Sequence, residues 1–153
     1  MSPADPEQKE WTAVFVARYE SLDAIREFVG QAAEVCCMDK KSVYAVQMAT
    51  DEACTNIIEH AYGGESDNSI ECTCRATADQ ITIILYDCGH TFDPNAVPSP
   101  TLNSSLEERS GGGLGLFFMH QLMDEIHFEF IPATPDQPAC NILTMVKRKE
   151  QHS

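Results

Sequence analysis

The chain has 153 residues, 43% of them apolar, and a formal net charge of -14 from 24 acidic and 10 basic side chains. A chain of this length buries roughly 70% of its unfolded surface, enough for one real core, and its apolar content excludes a disordered polymer. The acidic balance argues against nucleic acid or an anionic membrane as a direct partner, because both favour basic patches. No apolar run approaches the ~20 residues that cross a bilayer.

In chain order, the polar start at 1–6 lacks the pattern of a secretory signal. Residues 11–18 (WTAVFVAR) read as a first strand. Ser21 is placed to cap a helix over 22–37, whose apolar positions Leu22, Ile25, Val29, Ala32 and Cys36 recur at helical spacing. A turn around 38–40 leads to a second helix over 41–62, with Val43, Val46, Ala49, Ala53, Ile57 and Ala61 along one stripe. Gly63-Gly64 ends it, since glycine takes the left-handed backbone of a helix terminus at little cost. A hairpin follows, with strands at 69–76 and 80–87 around a turn at 77–79; its second strand is nearly all apolar and belongs in the middle of a sheet. Residues 88–110 hold three prolines and little periodicity, the character of a lid or binding loop. A third helix over 114–124 and two closing strands at 126–131 and 141–148 complete the chain, with a frayed tail at 149–153. The expectation is one domain over 1–153, an α+β two-layer sandwich with helices on one face of a mixed, mostly antiparallel sheet.

The seven cysteines show no framework spacing and no C-x-x-C. They read as free, mostly buried thiols of a reducing cytoplasm, with no zinc site. His90, His120, His127 and His152 lack ligand spacing, and Phe117, Phe118, Met119 and Met123 read as core.

Three stretches carry chemistry. Glu52, Asn56 and His60 stand at i, i+4 and i+8, on one side of the second helix beside its apolar stripe. A carboxylate one turn from a carboxamide can hold a divalent cation, or a water and a phosphate; it also suits a solvated helix face. Asp87-Cys88-Gly89 ends the central strand, where Asp87 can accept a hydrogen bond from a ligand, Gly89 lets the chain turn close to it and Phe92 can lie against a flat ring. Alone this is a common turn. Ser110-Gly111-Gly112-Gly113-Leu114-Gly115 opens onto the third helix. Free N–H groups and the helix dipole make such a place a phosphate cradle, although the glycines alone suit a flexible loop equally well. No lysine follows, so this is not a P-loop.

Together and in this order, the three stretches resemble the GHKL (histidine-kinase-like) ATPase superfamily, and more closely the serine kinases that act as bacterial anti-sigma factors. The resemblance covers most of the chain. It is carried by Glu52-x-x-x-Asn56 followed by His60-Ala61-Tyr62, by Asp87-x-Gly89-x-x-Phe92-Asp93-Pro94, by Glu108-Arg109-Ser110-Gly111-Gly112-Gly113-Leu114-Gly115, and by the ending Asn141-Ile142-Leu143-Thr144-Met145. It implies binding of ATP/ADP with Mg2+. Asn56 would ligate the metal, Glu52 would be the general base, and His60 would lie near the phosphates. Asp87 would accept from the adenine amino group, with Gly89 and Thr144 beside it and Phe92 over the base. Gly111, Gly113 and Gly115 would supply N–H groups to the phosphates, and Arg109 would reach the γ-phosphate. The resemblance further implies phosphorylation of a serine on a STAS-type anti-anti-sigma factor, binding of a sigma factor, a homodimer and a cytoplasmic location. The departures are His90 and Thr91, where many members carry small residues, and the Pro/Ser-rich lid. A module that holds nucleotide and sequesters a partner without phosphorylating it is the alternative; an ATPase or switch unrelated to sigma factors is a third reading.

Overall fold

The computed structural model describes residues 8–90 and 119–149. Strand β1 (Lys9–Val16) is followed by a 3-10 turn (Tyr19–Ser21) and helices α1 (Leu22–Val35) and α2 (Lys40–Asn56), the latter continuing into a π-helical turn (Ile57–Ala61). Strands β2 (Ser69–Ala76), β3 (Gln80–Asp87), β4 (Glu125–Ile131) and β5 (Cys140–Arg148) complete the sheet. Residues 119–122 are helical, and the helix stops there, short of the expected end at 124; residues 114–118 of the expected third helix lie outside the described residues. No helix of the described residues is long and apolar enough to cross a membrane.

The strand order is β1-β2-β3-β5-β4 and every pairing is antiparallel, so the sheet is not mixed among the described residues. The α+β expectation holds, and β3 is central as its apolar sequence required. Alternation sets the two faces. Ile70, Cys72, Cys74 and Ala76 of β2 stand beside Ile81, Ile83 and Leu85 of β3 and Leu143 and Met145 of β5, all buried. These pack against Ile25, Val29, Ala32 and Ala33 of α1 and Val46, Ala49 and Ala53 of α2. The alanines and Gly30 let the helices approach closely: a Cβ at Gly30 would meet the Gln47 side chain. That side chain donates from Nε2 to the Arg26 carbonyl at 3.1 Å, and Arg26 in turn pairs with Asp23 and Asp51, each at 2.7 Å.

The helix ends differ from expectation in two places. Ser21 makes no side-chain cap; it closes the 3-10 turn in helical conformation, so the chain is already coiling before α1 begins. The side-chain cap is on α2, where Asp39 accepts from the Ser42 N–H at 2.7 Å. Helix α1 stops at Cys37, a non-glycine residue at φ 63°, and the Met38 N–H reaches back to the Ala33 carbonyl at 3.1 Å, the Schellman arrangement. Gly63 and Gly64 do end the second helical segment, at φ 74° and 133°.

The cysteines correct a second expectation. Cys36, Cys54, Cys72 and Cys74 are free and buried, but Cys88 and Cys140 form a disulfide across β3 and β5. Linear spacing carried no sign of it, because 52 residues separate the partners. Lys149, placed in the frayed tail, donates its N–H to the Asp79 carbonyl at 2.8 Å and extends the ladder at the hairpin turn.

Candidate functional site

Helix α2 delivers Asn56 to the end of the sheet where β3 delivers Asp87. Both line one apolar pocket with Ala53, Ile57, Met119 and Leu143. Asn56 is 6% exposed, and its Oδ1 is buried with no hydrogen-bond partner among the described residues. A buried amide oxygen left without a partner costs about 1–3 kcal/mol of desolvation, which makes this atom, on the pocket wall, a candidate ligand contact. One turn earlier, Glu52 is half-buried and accepts no hydrogen bond from another described residue. Burial, with Asp51 and Glu59 nearby, pushes its carboxyl above the ordinary glutamate value, while His60 pulls it the other way.

The expected i, i+4, i+8 stripe is interrupted after Asn56. The π turn closes through an N–H from Tyr62 to the Ile57 carbonyl, five residues back, at 2.9 Å. The extra residue in the turn brings Ala61 into the core and leaves His60 exposed. His60 still lies close enough to act on the Glu52 charge. Such widened turns are frequent at functional sites.

At the sheet end, Asp87 is 4% exposed. Its Oδ1 accepts from the Gly89 N–H and from Asn141 Nδ2, both at 2.9 Å. Oδ2 has no partner among the described residues and remains available to a donor in the pocket. Burial raises this carboxyl, and the bonds from Asn141 and Gly89 oppose the rise. Gly89 is glycine because of a close approach to protein rather than to ligand. A Cβ there would fall on the Ala61 carbonyl, with the Ala61 Cβ at 2.8 Å. The turn is fastened to the same place by the His90 N–H, which donates to the Ala61 carbonyl at 2.6 Å. Tyr62 adds a second tie, its hydroxyl accepting from the Cys88 N–H at 3.1 Å and donating to the Ser69 carbonyl at 2.6 Å. The π turn and the Asp87 turn thus form one rigid corner.

Of the residues expected from sequence, Asn56, Asp87 and Gly89 meet in this corner, with Glu52 and His60 on its helical rim. Thr144 does not join them. It stands opposite Ile84 in the β3–β5 register, whereas Asp87 stands opposite Asn141. An odd offset along β5 puts Thr144 on the other face of the sheet. The position beside Asp87 belongs to Asn141, whose role the sequence reading missed. Phe92, Arg109, Gly111, Gly113 and Gly115 lie outside the described residues. Phe128 of β4, also unforeseen, lines the pocket opposite Leu143.

Comparison with known proteins places the domain in a family. The model of the histidine kinase-like ATPase domain matches residues 15–147. A serine-protein kinase RsbW from Bacillus velezensis is 33% identical over 85 residues, which is 53% of this chain and 53% of the relative. A serine/threonine-protein kinase BtrW from Bordetella bronchiseptica is 30% identical over 86 residues, 56% of this chain and 61% of the relative. An RsbW from Halalkalibacterium halodurans is 29% identical over 128 residues, 81% of this chain and 76% of the relative. The chain thus spans about half the length of the first of these relatives and about three quarters of the last. With a domain match running from β1 to β5 and the Asn56–Asp87 corner built from two of its elements, the chain belongs to the histidine kinase-like ATPase family.

Proposed function

We propose that this protein is an ATP-dependent serine kinase that also acts as an anti-sigma factor. It would phosphorylate a serine of a STAS-type anti-anti-sigma protein and bind a sigma factor. The observation that carries the reading is the pairing, one helical turn apart, of a half-buried carboxylate of raised pKa, Glu52, with a buried, unpartnered amide oxygen, Asn56 Oδ1. The names and similarity of the RsbW and BtrW relatives support it.

In this reading Asp87 Oδ2 accepts from the exocyclic amine of adenine, and Asn141 and Gly89 hold Oδ1 so that the free oxygen keeps its direction. The apolar walls, Leu143 and Phe128 among them, receive the ring. The hard oxygen of Asn56 fits Mg2+, and its lack of a partner among the described residues leaves it open to such an ion. The ion, when bound, would neutralise phosphate charge. Glu52 takes the proton of the serine hydroxyl as that oxygen forms its bond to the γ-phosphorus and the bond to ADP breaks. A base must be unprotonated, yet basic enough to accept; a carboxyl lifted above its ordinary value is nearer that optimum. Arg109 and the glycines Gly111, Gly113 and Gly115 would complete the phosphate side, and His60 would sit at its edge. The net charge of -14 suits a basic partner such as a DNA-binding protein.

Incubation with γ-labelled ATP, Mg2+ and a STAS partner from a neighbouring gene tests the proposal. Label should appear on a serine of the partner and vanish with Glu52→Ala while nucleotide stays bound. Tight nucleotide binding with no label on any partner would instead support a sequestering module.

A further inference from the structure

The disulfide between Cys88 and Cys140 has no part in the chemistry above, yet it sits against the group that would read the base. The β3–β5 ladder ends with the pair Asp87 and Asn141. Cys88 follows Asp87 and Cys140 precedes Asn141, so the bridge adds one covalent rung where the hydrogen-bonded ladder stops. The two Cα atoms are 3.9 Å apart. Around this rung lie the bond from Asn141 Nδ2 to Asp87 Oδ1, a second contact from that nitrogen to the His90 carbonyl at 3.2 Å, and the Cys88 N–H held by Tyr62. The two sulfurs also differ in access. Cys140 is 4% exposed. Cys88 is partly exposed and lines a surface cleft with Tyr62, Gly89, His90, Pro138 and Ala139, through which a small reagent can reach it. Cys54, Cys72 and Cys74 are fully buried, and burial drives the Cys54 thiol strongly upward, so they are inert.

We propose that Cys88 and Cys140 are a reversible redox clamp on the nucleotide site, which rests on the nucleotide-binding reading above. The oxidant is a low-molecular-weight disulfide of the oxidised-glutathione class. The Cys88 thiolate attacks one of its sulfurs and expels the first thiolate, leaving a mixed disulfide. The Cys140 thiolate then attacks Cys88 Sγ, forming the protein bridge and expelling the second. Two electrons pass from the cysteine pair to the reagent, and the two cysteine protons end on the two released thiols. In the bridged state the Asp87 turn and Asn141 are fixed before the base arrives, so less ordering is lost on binding. In the dithiol state the rung is gone, and the corner relies on its hydrogen bonds.

The wild-type protein is equilibrated in reduced or oxidised glutathione, the redox state of each cysteine is mapped by differential alkylation and mass spectrometry, and the affinity for ATP–Mg2+ is measured by calorimetry. The bridged form should bind at least ~5-fold more tightly, the lower end of ordinary coupling between sites. Cys88→Ser, which lacks the sulfur that meets the reagent, should bind like the reduced protein whether or not oxidised glutathione is present. Equal affinity in two states that mapping shows to differ at Cys88 and Cys140 overturns the clamp and leaves the nucleotide reading intact. A bridge that never forms, or that millimolar thiol never opens in the native protein, also overturns it. Absence of ATP binding in both states sinks the nucleotide reading, and the clamp with it.

Discussion

Glu52 and Asp87 are both acidic, both desolvated and both raised above their ordinary values, yet their surroundings differ. Asp87 is buried at a strand end, with one oxygen held by two donors on two different segments. Its direction is fixed and its remaining lone pairs face the pocket, which suits recognition. Glu52 is half-buried on a helix, has no donor among the described residues and has like charges nearby. Among the described residues only His60 offsets the burial and the like charges, so the carboxyl stays raised, which suits proton transfer. In the proposed reading, burial alone does not make a carboxylate catalytic; the hydrogen bonds that compensate burial would separate the two roles.

The largest test of this contrast is Glu52→Gln, which keeps shape and removes the base. Phosphoryl transfer should fall by about 10²–10⁴-fold, while ATP affinity changes by less than a few-fold. Asp87→Ala should do the opposite, weakening nucleotide binding about 10- to 100-fold, as the loss of a hydrogen bond to a charged group implies. It should also lower folding stability by about 1–3 kcal/mol, because Asn141 loses its buried acceptor; calorimetry and thermal melts measure both. Gly89→Ala should act on Asp87 through the backbone. The new methyl meets Ala61 and pushes the turn away, costing about 1–3 kcal/mol as overpacking does, with a parallel loss of affinity but a pH–rate profile of wild-type shape.

The smallest expected effect is on stability against pH. The folded protein raises the Glu52 pKa, so it disfavours the carboxylate relative to the unfolded chain. The contribution of Glu52 is therefore most favourable below its unfolded pKa and is lost as pH rises through the raised folded value. Glu52→Gln should melt slightly above wild type at neutral pH, and the difference should disappear below the ordinary glutamate pKa. An unchanged difference at acidic pH would mean that burial does not act on this charge.

How far the sequence showed this arrangement follows from the range of the forces involved. The bounds of β2 and β3 were readable because alternation and a polar turn are local signals. Asp87 at the end of a buried strand and Glu52 with Asn56 on one helix were readable for the same reason. The π turn was not, since it trades one hydrogen-bond register for another within a sequence that scores as plain helix. Asn141 beside Asp87 and Cys88 beside Cys140 depend on a register between strands far apart in the chain. Thr144 is different, because its signal was present. It lies between Leu143 and Met145, both buried against the helices, and strand alternation alone assigns it to the opposite face.

The most direct measurement is the pH dependence of single-turnover phosphate transfer from ATP to the partner serine, for wild type and Glu52→Gln. The wild-type rate should rise with pH through one ionisation above the ordinary glutamate value and then level off, and the variant should be slow and flat across that range. An identical rise in both proteins would contradict the assignment of Glu52 as the base.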